Sequence, residues 1–174
     1  HRRGGDRPVS AAAMRRGAPR GRGFTLIELV VAVAIVGVLA AGALPLAQLT
    51  AQRAQESELR AALRQIRDAI DAYKAAYDEG RIERRSGASG YPPALDALVK
   101  GVPDAGDPDG RRLYFLRRLP RDPFHPDPAL AAAQTWGKRS YASPPEAPRE
   151  GADVFDVYSL SPRTGLDGRP YREW

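Results

Sequence analysis

The 174-residue chain contains no cysteine, which removes disulfides, thiolate nucleophiles and cysteine-based zinc sites together. Histidine is nearly as scarce. Of the two present, only His125 lies beyond the first 23 residues, and a lone imidazole among Phe124, Pro126, Asp127 and Pro128 reads as a solvated loop residue. A Ser/His/Asp site would also need a nucleophile context, and no Gly-x-Ser-x-Gly occurs. No Gly-x-x-x-x-Gly-Lys phosphate loop is present, and Gly21-Arg22-Gly23 precedes no strand pattern. There is no internal repeat and no basic block flanked by aromatics, so neither a repeat array nor a nucleic-acid footprint is indicated.

The formal charge of +6 is local. Residues 1–23 hold seven arginines and one aspartate, which is the whole of the excess, and the remainder carries 20 basic and 20 acidic side chains, interspersed. The phosphate-neutralising term that dominates nucleic-acid affinity therefore has no source in the body of the chain. If the basic leader is removed, the alkaline pI of about 10.0 goes with it. Because the sequence opens with His1, Met14 is the more plausible start, with residues 1–13 an upstream translation or a fragment.

What the chain does have is one long apolar run. Phe24 to Leu49 is 26 residues with a single charge, Glu28; as a helix it would reach roughly 39 Å at about 1.5 Å per residue, enough to cross a bilayer core of about 30 Å. The arginines before it would stay in the cytoplasm, so the segment points its N-terminus inward and its C-terminus outward. An ionisable group inside such a run is costly and needs a reason. Either Glu28, five residues into the run, snorkels to the headgroups beside Thr25, or it pairs with a positive group inside the membrane. Pro45, behind Gly37 and Gly42, removes one backbone donor and predicts a kink or local melting over residues 37–45; an ordinary transmembrane kink and a role in assembly both fit.

Beyond the run the period becomes amphipathic. Leu49, Leu59, Leu63, Ile66, Ile70, Tyr73 and Tyr77 mark one helical stripe, and Glu56/Arg60, Arg64/Asp68, Arg67/Asp71 and Lys74/Asp78 are spaced for i,i+4 ion pairs on the wet face. The helix is expected from Phe24 to about Glu79, stopped by Gly80. Arg81 to Gly90 reads as a loop, Ala94 to Lys100 as a short helix with Leu95 and Leu98 inward, and Val102 to Gly110 as a surface loop. Leu113 to Leu116 is too short to assign. Strands are expected at Arg139 to Ser143 and Val154 to Leu160, and Gly165-Leu166-Asp167-Gly168 reads as a turn.

Gly23-Phe24-Thr25-Leu26-Ile27-Glu28 and the charge-poor run behind it resemble the N-terminal signature of type IV pilins and of the pseudopilins of bacterial type II secretion systems. Leu119-Pro120-Arg121-Asp122-Pro123-Phe124 is similar to the Leu-Pro-x-Asp-Pro-aromatic segment of the major, G-type pseudopilins. The resemblance is tight over residues 23–49, a pattern to Gly80, and looser from Tyr91 to Trp174. It implies an α+β, type IV pilin-like fold: a long N-terminal helix packed on a small C-terminal antiparallel sheet. It implies cleavage after Gly23 by a prepilin peptidase, N-methylation of Phe24, and assembly through Glu28, with Pro45 where the family also places a proline. The partner of Glu28 would be the amino group of Phe24 in a neighbouring subunit. The implied organisation is a removed leader at 1–23, a transmembrane and assembly helix at 24–49, its amphipathic periplasmic half at 50–80, and a small periplasmic domain at 81–174.

The resemblance further implies a structural subunit, not an enzyme, of an inner-membrane-anchored filament whose partners are copies of itself, other pseudopilins, and a secretion platform with its ATPase. Major pseudopilins hold calcium in a loop near the C-terminus. Aligning Ser159-Leu160 on that loop puts Arg163 where a ligand aspartate is usual, and Asp167 before Gly168 is a weak substitute, so no cofactor is expected. The lack of cysteine leans away from pilins with a C-terminal disulfide loop, yet a pilin for adhesion, motility or DNA uptake stays in the same class. Two rivals come from other classes. Ala41-Gly42-Ala43 fits an ordinary signal-peptide cleavage site, which would release a secreted soluble domain, although Glu28 weakens such a signal; a membrane-anchored periplasmic enzyme lacks visible catalytic residues.

Overall fold

The computed structural model describes residues 23–174, apart from the side chains of residues 42–46. Residues 1–22 of the expected leader, the expected start at Met14 among them, and the side chain of Pro45 thus lie outside the described residues. The chain divides into two compact units between Leu44 and Pro45.

One helix dominates the element order. α1 covers Leu26–Asp78 and begins on a cap: Thr25 Oγ1 accepts the Glu28 N–H at 3.2 Å and the Thr25 carbonyl accepts the Leu29 N–H at 3.1 Å. Thr25 and Glu28 have the Ncap and N3 spacing of a capping box. At the other end Gly80 has φ +77°, and the Arg81 N–H bonds to the Ala76 carbonyl while Gly80 N–H bonds to Tyr77. That pair is the Schellman arrangement, which needs the left-handed residue that glycine supplies.

The second unit is built on the amphipathic stripe. Leu59, Leu63, Ile66, Ile70 and Tyr73 are each no more than 6 % exposed, with Ala62, Ala69 and Ala76 filling between them. They pack with Ile82, Leu95, Leu98, Leu116, Trp136, Val154, Val157 and Tyr171 into one core. Leu49 does not join it and stays 40 % exposed. Burying one such side chain stabilises by about 1.5–3 kcal/mol, so this stripe holds the small sheet to the helix.

α2 (Leu95–Lys100) buries Leu95 and Leu98 as expected. The loop expected over residues 102–110 instead starts in a short strand, β1 (Val102–Pro103), paired antiparallel with β2 (Arg112–Leu113). Two residues per strand give too little alternation to be read from sequence. The main pair is β3 (Trp136–Arg139) with β4 (Asp156–Ser159), antiparallel, with Gly137 opposite Tyr158. The strand expected at Arg139 to Ser143 is therefore displaced toward the N-terminus. Gly137 masks the strand signal, yet it is required: a Cβ there would lie 2.3 Å from the Tyr158 ring. After Arg139 the backbone turns, with Ser140 N–H on the Arg149 carbonyl and Ser143 N–H on the Ser140 carbonyl.

Leu119 to Phe124 fastens β3 to β4. Asp122, 2 % exposed, accepts the Ser159 hydroxyl at 2.5 Å and the Phe124 N–H at 2.8 Å, and donates its own N–H to Thr135 Oγ1 at 3.1 Å. The Trp136 indole donates to the Pro120 carbonyl at 2.9 Å, and Phe124 stacks on Tyr171 at 4.2 Å. The architecture is the α+β, pilin-like arrangement of a long helix and a small antiparallel sheet.

Candidate functional site

Gly23, Phe24 and Thr25 precede α1 without helical structure, so the proposed cleavage point lies just outside the helix. A Cβ built on Gly23 meets nothing within 4 Å, and Phe24 is 82 % exposed. Glu28 sits in the first turn, where a carboxylate meets the positive end of the helix macrodipole. Thr25 is thus the helix cap and not merely a polar neighbour of Glu28, a role whose sequence signal is the Thr-x-x-Glu spacing.

Along residues 26–41 the apolar side chains are exposed on every side of the helix, Leu26, Val33, Val36 and Leu39 among them. A helix that is apolar all round needs an apolar environment or neighbouring helices. Among the described residues, however, no helix is long and apolar enough to cross a membrane. The described apolar stretch, residues 26–41, would rise only about 24 Å against a core of about 30 Å. The expected span at 24–49 also draws on residues 42–46, whose side chains lie outside the description.

The C-terminal loop is organised differently from the ion-pair pattern read in sequence. Glu56, expected to pair with Arg60 on the wet face, is 4 % exposed. Its Oε1 accepts the Leu166 N–H at 2.8 Å, the Tyr171 hydroxyl at 2.9 Å and the Gln52 amide at 3.1 Å. Gln52 also donates to the Tyr171 hydroxyl at 3.0 Å. Arg60 turns instead to Asp167 at 3.6 Å and lies 4.1 Å over the Trp174 ring. Arg67, expected to meet Asp71, donates to Asp156 at 2.8 Å and to the Val157 and Trp174 carbonyls. Only Lys74/Asp78 forms among the four expected pairs within the described residues. Tertiary partners displace local ones because a half-buried guanidinium gains more from several fixed acceptors than from one mobile carboxylate. Glu56 was legible in principle: it lies three residues before Leu59, in phase with the buried stripe.

Burial pushes the Tyr171 hydroxyl above its ordinary value of 10.0, and the Glu56 carboxylate beside it acts in the same direction. Asp104 moves the other way, held low chiefly by its hydrogen bond from Arg81 at 2.7 Å.

Asp167 is a poor metal ligand here. Its Oδ1 accepts the Arg169 N–H at 3.0 Å and its Oδ2 faces Arg60. Among the described residues no three His, Cys, Asp or Glu side chains converge, and the buried polar atom left without a partner is the Trp174 indole N–H, a donor that cannot bind a cation. His125 makes a local turn, its Nδ1 accepting the Asp127 N–H at 3.3 Å. A cleft of about 1160 Å³ lined by Tyr73, Tyr77, Tyr91, Tyr141 and Asp153 contains no imidazole.

Comparison with known proteins bears on the N-terminal segment and on the greater part of the chain. Residues 19–44 match the family model of the prokaryotic N-terminal methylation motif. The type II secretion system core protein G of Pseudomonas aeruginosa is 30% identical over 153 residues, covering 84% of each chain. That of Klebsiella pneumoniae is 29% identical over 154 residues, 87% of this chain and 89% of its own. The type IV major fimbrial protein FimA of Dichelobacter nodosus is 43% identical, but over 60 residues that make up 34% of this chain and 38% of its own. No solved structure matches. The likeness to the secretion proteins covers more than four fifths of each chain, well beyond the methylation motif, and the chain belongs to the family of the type II secretion system core protein G, the G-type pseudopilins.

Proposed function

We propose that the chain is made as a precursor, cut after Gly23, methylated on Phe24, and assembled from the inner membrane into a periplasmic pseudopilus that drives protein export. The observation that carries this reading is the junction itself: a motif-matched, exposed Gly23-Phe24 step outside the helix, followed by a helix whose apolar residues 26–41 have no cover of their own. Cleavage would leave the amino group of Phe24 four residues from Glu28, and in the filament Glu28 pairs with the Phe24 amino group of a neighbouring subunit. Residues 24–49 anchor the precursor, with the arginine-rich leader cytoplasmic and residues 50–174 periplasmic. Its partners are the prepilin peptidase, other pseudopilins and copies of itself, and the inner-membrane secretion platform; the subunit itself catalyses nothing and needs no cofactor. The identity with a fimbrial protein covers only 34% of this chain, against 84% or more for the two secretion proteins, and does not favour a pilus.

Mass spectrometry of membrane-extracted protein tests this reading. An N-terminus at Phe24 carrying one added methyl group is expected, and Gly23→Val should leave the leader attached. A mature start at Leu44 would establish the secreted-domain alternative instead.

A further inference from the structure

The C-terminal loop closes onto α1 through an unusual arrangement of donors and acceptors. In a cation-held loop, several oxygens converge on one positive centre. Here the polarity is inverted, because one buried carboxylate, Glu56, gathers the Leu166 N–H, the Tyr171 hydroxyl and the Gln52 amide on a single oxygen. The one acidic side chain of the turn, Asp167, is already engaged by Arg60 and by the Arg169 N–H. Arg67 holds the chain from the other side through the Trp174 carbonyl, and Arg163 lies 5.1 Å over the Phe124 ring. A divalent cation entering this neighbourhood would meet arginines and donors, with no vacant carboxylate pair.

We propose that Glu56 is the positioning residue of a lock made of protein groups alone, which holds residues 161–174 on α1 and makes the fold of this loop independent of calcium. The lock is specific in geometry. Leu166 N–H is the backbone group by which the turn between Gly165 and Gly168 bonds to the helix, and Tyr171 inserts its ring between Phe124 and Trp174 while its hydroxyl reaches the same Glu56 oxygen. A buried carboxylate with three donors is compensated, whereas removing it leaves those donors facing each other in a dry site. The inference does not depend on processing at Gly23, since every group in it lies in the second unit.

Hydrogen exchange followed by mass spectrometry on the full-length protein in detergent micelles tests it, with peptides covering residues 161–170 as the reporter. The wild type should exchange there slowly, at the same rate in excess EDTA and in millimolar calcium chloride, with an unchanged Tm. Glu56→Leu should speed exchange of this segment at least tenfold while peptides from β3 and β4 keep their protection, and calcium should not restore it. Glu56→Gln, which keeps an acceptor, should fall between. If Glu56→Leu does not fold, Tyr171→Phe decides: it keeps the ring packing, removes one donor, and should loosen the same segment severalfold. Faster exchange of wild-type protein in EDTA, or unchanged exchange in Glu56→Leu or, failing that, in Tyr171→Phe, would overturn the proposal.

Discussion

Ile70 and Leu49 belong to the same apolar pattern in sequence, yet they should answer to truncation very differently. Ile70 is 1 % exposed in the middle of the stripe that carries the sheet, whereas Leu49 is 40 % exposed. Ile70→Ala removes roughly three carbons, worth about 2.4 kcal/mol at about 0.8 kcal/mol each. The cavity left behind adds to this, for a total of roughly 2–5 kcal/mol. Against a typical stability of about 5–15 kcal/mol that is a large fraction. In the isolated unit Pro45–Trp174, at about 3–5 °C per kcal/mol for a domain of this size, Tm should fall by roughly 10 °C. Leu49→Ala in the same fragment should cost less than about 0.5 kcal/mol, as for other surface positions. Thermal melting by far-UV circular dichroism measures both. Equal shifts for the two, or a loss at Ile70 of less than about 2 °C, would refute the assignment of this helix face to the core.

Glu28→Leu separates the two readings of the Glu28 carboxylate. With pairing to a neighbouring Phe24, the mutant should insert and be cleaved but fail to form filaments or support secretion, because an incoming amino group would be buried without a partner; normal secretion would favour snorkelling. Asp122→Ala should destabilise by about 2–4 kcal/mol, since it strands the Ser159 hydroxyl and the Phe124 N–H in a buried site, and a urea titration showing Asn as damaging as Ala would point to charge over hydrogen bonding. Tyr171 has its folded pKa raised above 10.0, so its contribution is fully present below that pH and is lost as pH rises through the folded value. Alkaline unfolding monitored by near-UV absorbance should therefore be shallower in Tyr171→Phe than in wild type. Asp104 has the opposite sign: its folded pKa is lowered by Arg81, so its contribution is present at neutral pH and is lost as acid titrates the folded carboxyl. Arg81→Gln should reduce the acid sensitivity.

The sequence alone determined the long-range plan, because the signals for it are local and repeated. A helix of more than fifty residues is announced by continuous apolar and then amphipathic periodicity, and its end by Gly80, whose positive φ is a property of one residue and its neighbours. The methylation motif and its six residues are likewise read without any tertiary knowledge, as is Leu119 to Phe124 as a landmark. What only the tertiary structure decided is how polar groups choose partners across the fold. Glu56 could be assigned to Arg60 from spacing, but a carboxylate in phase with Leu59 and Ile66 turns inward once Tyr171 and Leu166 arrive from more than a hundred residues away. Arg67 leaves Asp71 for Asp156 for the same reason. The β3/β4 register was hidden as well, since Gly137 looks like a strand breaker until the Tyr158 ring is seen to occupy the space its missing side chain leaves. Periodicity fixes which face of an element is dry, and only the approach of distant chain segments fixes which hydrogen-bonding groups will be found there.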